Sequence, residues 1–341
     1  MKPRARSVVT LREAYVIIAA LRRQGRVILV TGGTGYIGRH VVTRLLERGH
    51  HVRLLLPEQR THKLPWADPP EIVTGSILDE EALFKAVTGV HVVIHLENAF
   101  WWGRRRDLER VELAGTRQLI TAARAARVGR IITVSQLGAS PSTAYTLLRV
   151  KGQMEDTIKA SGLAYTILRS GLVFGEDDAF INHIALGMTA NPLFFLMPGR
   201  GEIVLHPIYI DDLVNALVAS LETVDTVDTI VEIGGAEYIT LSDLLRTIMR
   251  VSGRQRMVVS VPPYMLRWLT AVFERVLPRS LMTSQWLDIL ATNRTARLGT
   301  AFQYFGIHPR RLEDTLMTYL PKRRNALELL RYTFRRRPRV L

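Results

Sequence analysis

Residues 31–40, TGGTGYIGRH, leave this chain few folds to choose from. The β-branched segment RVILVT runs into them and the helical segment VVTRLLERG runs out. Between a strand and a helix, Gly33-x-Gly35-x-x-Gly38 supplies a tight turn, a backbone able to approach a pyrophosphate, and close packing of helix on strand. The helix N-terminus turns free N–H groups toward the phosphates. A second strand, HVRLLL at 51–56, completes a βαβ unit, so the loop reads as a dinucleotide-binding turn. Gly32, Gly33, Thr34, Gly35, Tyr36, Ile37, Gly38 and Arg39 are its expected contact residues.

The same rhythm continues. Apolar runs at 71–73, 90–96, 130–135 and 164–169 alternate with helical stretches near 36–48, 79–87, 107–127 and 145–161. Several of the runs are apolar throughout, as in parallel strands covered on both faces. The expected fold is α/β: a Rossmann-type doubly wound parallel sheet with a smaller, mostly helical C-terminal substrate-side region. Four parts follow: a basic N-terminal extension (1–25), an NAD(P)-binding Rossmann domain (26–175), a substrate-side and helical region (176–320) with some segments returning to the first domain, and a basic C-terminal tail (321–341). No internal repeat is visible. Met265, Leu269, Val272, Phe273 and Val276 recur at helical spacing, which predicts a core-facing stripe. Asp211 or Asp212 stands before an apolar helix as its expected N-cap.

The formal charge of +15 suggests nucleic acid until it is mapped, when the two ends prove to supply thirteen of the fifteen. The body is nearly neutral and carries no base-reading motif, so nucleic acid is not an expected partner. The ends read as solvated tails or, next, as contacts for an anionic membrane surface. The apolar run AYVIIAAL at 14–21 falls well short of the ~20 residues a membrane span requires, and reads as an extension or interfacial helix. With no cysteine, disulfides and thiolate chemistry are excluded, and a cytoplasmic location, peripheral at a membrane, is expected. His91, His95, His183 and His206 lack metal-ligand spacing.

Beyond the loop, VHVVIHL, ELAGTRQLITAARAARVGRIITVSQLGAS, KASGLAYTILRSGLVFG and HPIYIDDLVNAL resemble the atypical extended short-chain dehydrogenases over about residues 26–320. FGEDDAFIN followed by HPIYIDDLVNAL is most similar to the branch holding the nucleotide-binding accessory subunit of mitochondrial complex I. The resemblance implies a Tyr-x-x-x-Lys pair after the fifth strand and a hydroxyl at that strand's end, serving proton exchange during hydride transfer. Lys151 matches the lysine, but the tyrosine position is Leu147, and the nearest phenol, Tyr145, falls on a different helix face. Ser135 is followed by Gln136 and Leu137 where the hydroxyl is usual, and Glu112 replaces an asparagine in VELAGT. Leu96 and Ser135, at strand ends, and Lys151, through the ribose, join the implied cofactor contacts.

These departures imply an NAD(P)-binding protein with weak or absent turnover, its nucleotide a structural or sensing ligand in an assembly or scaffold role. Two alternatives stand beside it. One is an active oxidoreductase or nucleotide-sugar epimerase/dehydratase using Tyr145 and Lys151 on a small-molecule or lipid substrate; the other is a membrane-surface adaptor acting through its basic ends. At the end of the second strand, Glu58 suits a ribose hydroxyl, whereas Arg39, Arg53 or Arg60 suits a 2′-phosphate; Arg39, beside the loop, tips the balance to NADP. Trp101, Trp102 and the arginines at 104–106 form an aromatic, basic loop after the fourth strand, at the ligand-binding end of such a sheet.

Overall fold

The structure, a computed structural model, describes residues 26–61, 64–98, 105–277, 279–320 and 326–334. Its centre is a seven-stranded parallel sheet in the order β3-β2-β1-β4-β5-β6-β11. The strands are β1 (Val27–Thr31), β2 (His51–Leu56), β3 (Glu71–Thr74), β4 (Val90–His95), β5 (Arg130–Gln136), β6 (Ala164–Ser170) and β11 (Thr229–Ile233). The order reverses between β1 and β4, and a crevice opens there at the strands' carboxyl ends.

Helix α1 (Tyr36–Glu47) covers one face together with α6 (Ile210–Ala219), burying Val41, Val42 and Leu45 beside Leu213 and Leu217. On the other face lie α2 (Glu80–Val87), capped by the Asp79 carboxylate, α3 (Gly115–Ala125) and α4 (Thr146–Lys159). Between β6 and α6 the chain leaves the sheet through β7 (Val173–Phe174), α5 (Phe180–Ala190), β8 (Phe194–Pro198), β9 (Val204–Leu205) and β10 (Ile208–Tyr209). After β11 come β12 (Ile239–Thr240), α7 (Leu241–Ser252), β13 (Met257–Val261), which pairs with β8, and α8 (Pro263–Val276). Next come α9 (Ser284–Ile289), α10 (Thr300–Phe305), α11 (Leu312–Tyr319) and α12 (Ala326–Thr333). A second core gathers α5, α7, α9 and α11 around Phe180, Leu244, Trp286 and Leu316.

Two local expectations are corrected. The stripe on α8 faces outward: Met265 is 53% exposed, Phe273 44% and Val276 71%, while Leu266 and Thr270 make the inner face. Helical spacing defines a face without saying which side is buried, and here the apolar arc is wider than the contact. Neither Asp211 nor Asp212 caps α6, whose N-cap is Tyr209 without a side-chain bond; the Asp212 carboxylate accepts the Arg310 N–H at 2.8 Å, tying α6 to the distant approach to α11. Within the basic C-terminal region, α12 packs on α5, with the Tyr332 ring 4.7 Å from His183, so this part of 321–341 is docked helix.

Two buried polar nodes tie the sheet to its neighbouring helices. Glu155 on α4, 1% exposed, receives two hydrogen bonds from Arg169 Nε (3.0 and 3.2 Å) and one from Nη2 (2.6 Å). Arg169 Nη1 reaches on to Glu232 on β11 at 3.3 Å. At the strands' carboxyl ends His95, 1% exposed, sits between the Thr31 hydroxyl (2.7 Å from Nδ1) and the Thr116 hydroxyl (2.9 Å from Nε2). Because the Thr116 hydroxyl already donates to the Glu112 carbonyl, Nε2 must be its donor, and Nδ1 accepts from Thr31. That is a neutral imidazole. Burial, followed by the Lys151 charge, pushes His95 down to about 3.

Arg169→Ala strands the buried Glu155 carboxylate and is expected to lower unfolding free energy by about 3–5 kcal/mol, whereas Glu232→Ala, removing a half-exposed partner, costs under about 1 kcal/mol; urea denaturation compares the two. His95 makes stability depend on acid: its folded value lies below the unfolded one of 6.5, so the unfolded chain alone gains a proton as pH falls below 6.5. The wild type should lose about 2 kcal/mol through this group between pH 6.5 and about pH 4.5. His95→Gln should show a shallower decline when unfolding midpoints are measured across that range.

Candidate functional site

The loop after β1 lets three backbones meet. Gly32 has φ +71°, and a side chain there would run into the carbonyl of Leu96 at the end of β4. Gly38, in the first turn of α1, lies against the Gly32 carbonyl with no room for a Cβ. Helix α1 therefore starts close on the end of β1, with Gly35 as N-cap, no side-chain cap and no acidic residue in its first turn. Its first N–H groups are left for an anion. Gly35 itself is roomier, since an added Cβ would have only the Gly32 carbonyl near it, at 3.1 Å.

Three hydroxyls around this crevice are buried and lack a hydrogen-bond partner among the described residues: Thr34 Oγ1 and Tyr36 OH from the loop, and Ser135 Oγ at the end of β5. Unsatisfied buried polar groups are uncommon, and Thr34 Oγ1 in the loop before a free helix N-terminus, with Ser135 Oγ at a strand end, fits an oxygen-rich ligand such as a dinucleotide. The remaining loop residues, Gly33 and Ile37, pack inward on Leu54 and the core of the α1 face. Tyr36 has its phenol against Gly175, and burial, with Asp178 nearby, raises its pKa.

The basic candidates differ in how far they are engaged. Arg53 is held by the Ala86 carbonyl at 2.9 Å and by Glu71 at 2.9 Å, a structural role. Arg39 lies over the Tyr36 ring, 5.6 Å from its centroid, and pairs with the exposed Asp177 at 2.8 Å. Arg60 stands 3.8 Å from Glu97, a carboxylate only 8% exposed two residues past the end of β4. Burial, only partly offset by Arg60, pushes Glu97 upward. Glu58 is exposed in the turn after β2. Glu97 was not foreseen from sequence; its one signal is an acid placed two residues past a strand that ends at the switch point.

The second half of the site departs from a phenol–lysine pair. Lys151 Nζ lies 2.6 Å from Glu112 Oε2, and the two side chains are 13% and 1% exposed. Glu112 belongs to a wide π-helical turn, Glu109–Ala114, that precedes α3. Leu147, one turn before Lys151, is buried with Leu108, Val111 and Val150. Tyr145 is the N-cap residue of α4 and lies outside the helix, with the Arg267 guanidinium 5.9 Å above its ring. It lines a different space, a cavity of about 1120 Å³ shared with Arg200, Glu202, Arg267 and Glu274. Glu112 had been marked by its departure from the family pattern, but no local spacing announces a partner 39 positions away.

Of the other candidates, His206 bonds the Gly235 carbonyl at 3.0 Å and the Ala296 N–H at 3.2 Å, and His91 is exposed. Among the described residues no three metal-ligating side chains come together. Trp101, Trp102 and Arg104 lie outside the described residues.

A family profile described as NAD(P)H-binding matches residues 32–187. The photosystem II assembly factor Ycf39 of Cyanophora paradoxa is 27% identical over 240 residues, covering 69% of this chain and 71% of that protein. The mitochondrial NADH dehydrogenase [ubiquinone] 1 alpha subcomplex subunit 9 of Mus musculus is 28% identical over 265 residues, covering 73% and 67%. In fold, UDP-glucose 4-epimerase from Thermotoga maritima superposes with a TM-score of 0.66 at 21% identity, covering 86% of this chain and 97% of that one. Among the described residues no helix is long and apolar enough to cross a membrane. Residues 32–187 thus match an NAD(P)H-binding family profile, and the chain is similar in sequence to an assembly factor and a respiratory-complex subunit and in fold to a UDP-glucose epimerase.

Proposed function

We propose that this protein holds NAD(P) as a structural or sensing ligand, with little or no turnover, and serves in the assembly or scaffolding of a larger complex. The observation that carries the reading is the Lys151–Glu112 ion pair. A lysine that assists a phenol needs its positive charge directed at that phenol and at the ribose. Here a buried carboxylate compensates the charge, and a leucine takes the phenol's place. When bound, the dinucleotide would supply a hydride-carrying ring, but a proton donor in register with Lys151 is missing from α4. The residues that would hold it are Gly32 to Arg39 along the loop, Leu96 and Ser135 at strand ends, and Lys151 on the ribose side. NADP is favoured over NAD because Arg39 stands beside the loop in sequence and Arg60 follows β2, and the exposed Asp177 that pairs with Arg39 is a weak competitor for a 2′-phosphate. The names of the relatives, an assembly factor and a respiratory-complex subunit, support the assembly role. Charged ends suit a peripheral position at an anionic membrane surface.

An active oxidoreductase or epimerase remains the second reading, because Tyr145 and several charged side chains face one large cavity.

Gly35→Val should keep the fold, since its Cβ meets little protein, yet weaken NAD(P) binding by roughly a hundredfold in calorimetry by obstructing the phosphates. Unchanged affinity in the folded variant would remove the nucleotide site from this loop. In the wild type the redox state of bound nucleotide should not change with candidate carbonyl or sugar-nucleotide substrates, and Tyr145→Phe should behave as wild type. A measurable turnover lost in Tyr145→Phe would establish the enzyme reading instead. Glu112→Asn combined with Leu147→Tyr restores two of the three departed family positions, and should raise turnover if the ion pair and the missing phenol are what suppress it.

A further inference from the structure

The outer surface of α8 is apolar and open. Tyr264 is 75% exposed, Trp268 69% and Val276 71%, with Met265 and Val272 also more than a third exposed. At 100° per residue these five fall within about a third of the helix circumference, and exposed Arg275 falls inside the same arc. Scattered exposed apolar residues are ordinary, but a continuous apolar patch of this kind marks an interaction surface. Beside it, α5, β8, α8 and α12 enclose an apolar cavity of about 550 Å³. Its lining includes Phe194, Phe273, Leu330 and Phe334, each more than a third exposed. Phe273, on the same helix about 60° beyond the edge of that arc at 100° per residue, lines the cavity, so the cavity lies next to the arc.

Charge identifies the occupant. Helix α12 is bracketed in sequence by Lys322, Arg323 and Arg324 before it and Arg335, Arg336 and Arg337 after it, with Glu328 the one acid between 322 and 341. A second copy of the chain would bring the same cations against them and be repelled. A neutral apolar partner would leave them without a counterpart. An anionic bilayer meets both requirements: aromatic and aliphatic side chains at the headgroup boundary, and cations against lipid charge. We propose that the face formed by α8 and α12 docks on an anionic lipid bilayer, with Trp268 and its neighbours on α8 as the inserting residues. This deepens the peripheral position proposed above, which drew on the charged ends alone, by assigning the contact to α8.

The full-length protein is tested by co-sedimentation with phosphatidylcholine vesicles carrying about 30% phosphatidylserine, at low and high salt. The wild type should bind these and not pure phosphatidylcholine vesicles. Met265→Glu with Val272→Glu, at exposed positions, should weaken vesicle binding roughly tenfold or more while leaving nucleotide affinity and unfolding midpoint unchanged. Brominated acyl chains should quench wild-type tryptophan emission more than that of Trp268→Phe. Deleting 322–341 would also remove α12 from its cavity, so the charge contribution is read from Arg335, Arg336 and Arg337→Glu. If charge reversal abolishes binding and the α8 variant binds as wild type, the α8 face is overturned and the charged-end reading stands. Absence of wild-type binding overturns both. Self-association without lipid that Met265→Glu with Val272→Glu relieves would assign the face to a second copy and overturn the proposal.

Discussion

The nucleotide end of this molecule depends on how closely α1 can approach the end of β1. Gly38 rests against the carbonyl of Gly32, and Gly32 in turn against the carbonyl of Leu96. Helix, loop and neighbouring strand are in main-chain contact, which no side chain would allow. That approach leaves the first N–H groups of α1 without a side-chain cap and buries Thr34 Oγ1 and Tyr36 OH without a partner among the described residues. It also brings Glu97, directly after Leu96, under the loop, where Gly32 and Arg60 are its compensation. The polar character of the crevice is therefore a consequence of close backbone packing as much as of residue choice.

On the other side of the crevice the chemistry is arranged by one ion pair. The π-helical turn widens the chain just before α3 and carries Glu112 into the interior, where it meets Lys151. The Lys151 charge also bears on His95, which burial already keeps neutral between Thr31 and Thr116. Charge, hydroxyls and imidazole form one connected interior set linking the ends of β1 and β4 to α3 and α4. A buried pair of this kind is costly to break and contributes little net stability over an apolar replacement. Its retention is better understood as fixing where the lysine points.

Most of the sheet could be read from the chain because central parallel strands bury both faces and so write themselves as apolar runs; the six strands from β1 to β6 fall within a residue or two of their expected bounds. The glycine loop was equally legible, since its spacing is imposed by backbone contact. What sequence did not show was long-range. The seventh strand, TIVEI, is short, only partly buried and preceded by a stretch with no helical or strand rhythm, so only its pairing with β6 identifies it. The α8 stripe had the correct period and the wrong direction, because periodicity carries no information about what lies opposite. The partner of Lys151 sits in a different helix, and the Asp212 carboxylate serves a backbone N–H 98 residues later.

The position of β11 bears on how the chain reaches its folded state. It pairs along β6, yet 58 residues separate the end of one strand from the start of the other, and most of the second core is encoded between and after them. During synthesis the first six strands can associate while β6 remains an unpaired edge of apolar residues, with Glu155 and Arg169 already in place and Glu232 not yet made. Exposed edges of that sort recruit other strands. The window closes only when residues near 233 have left the ribosome and crossed back over the sheet, so a chain truncated shortly after β6 would meet its neighbours in the cell with an open edge.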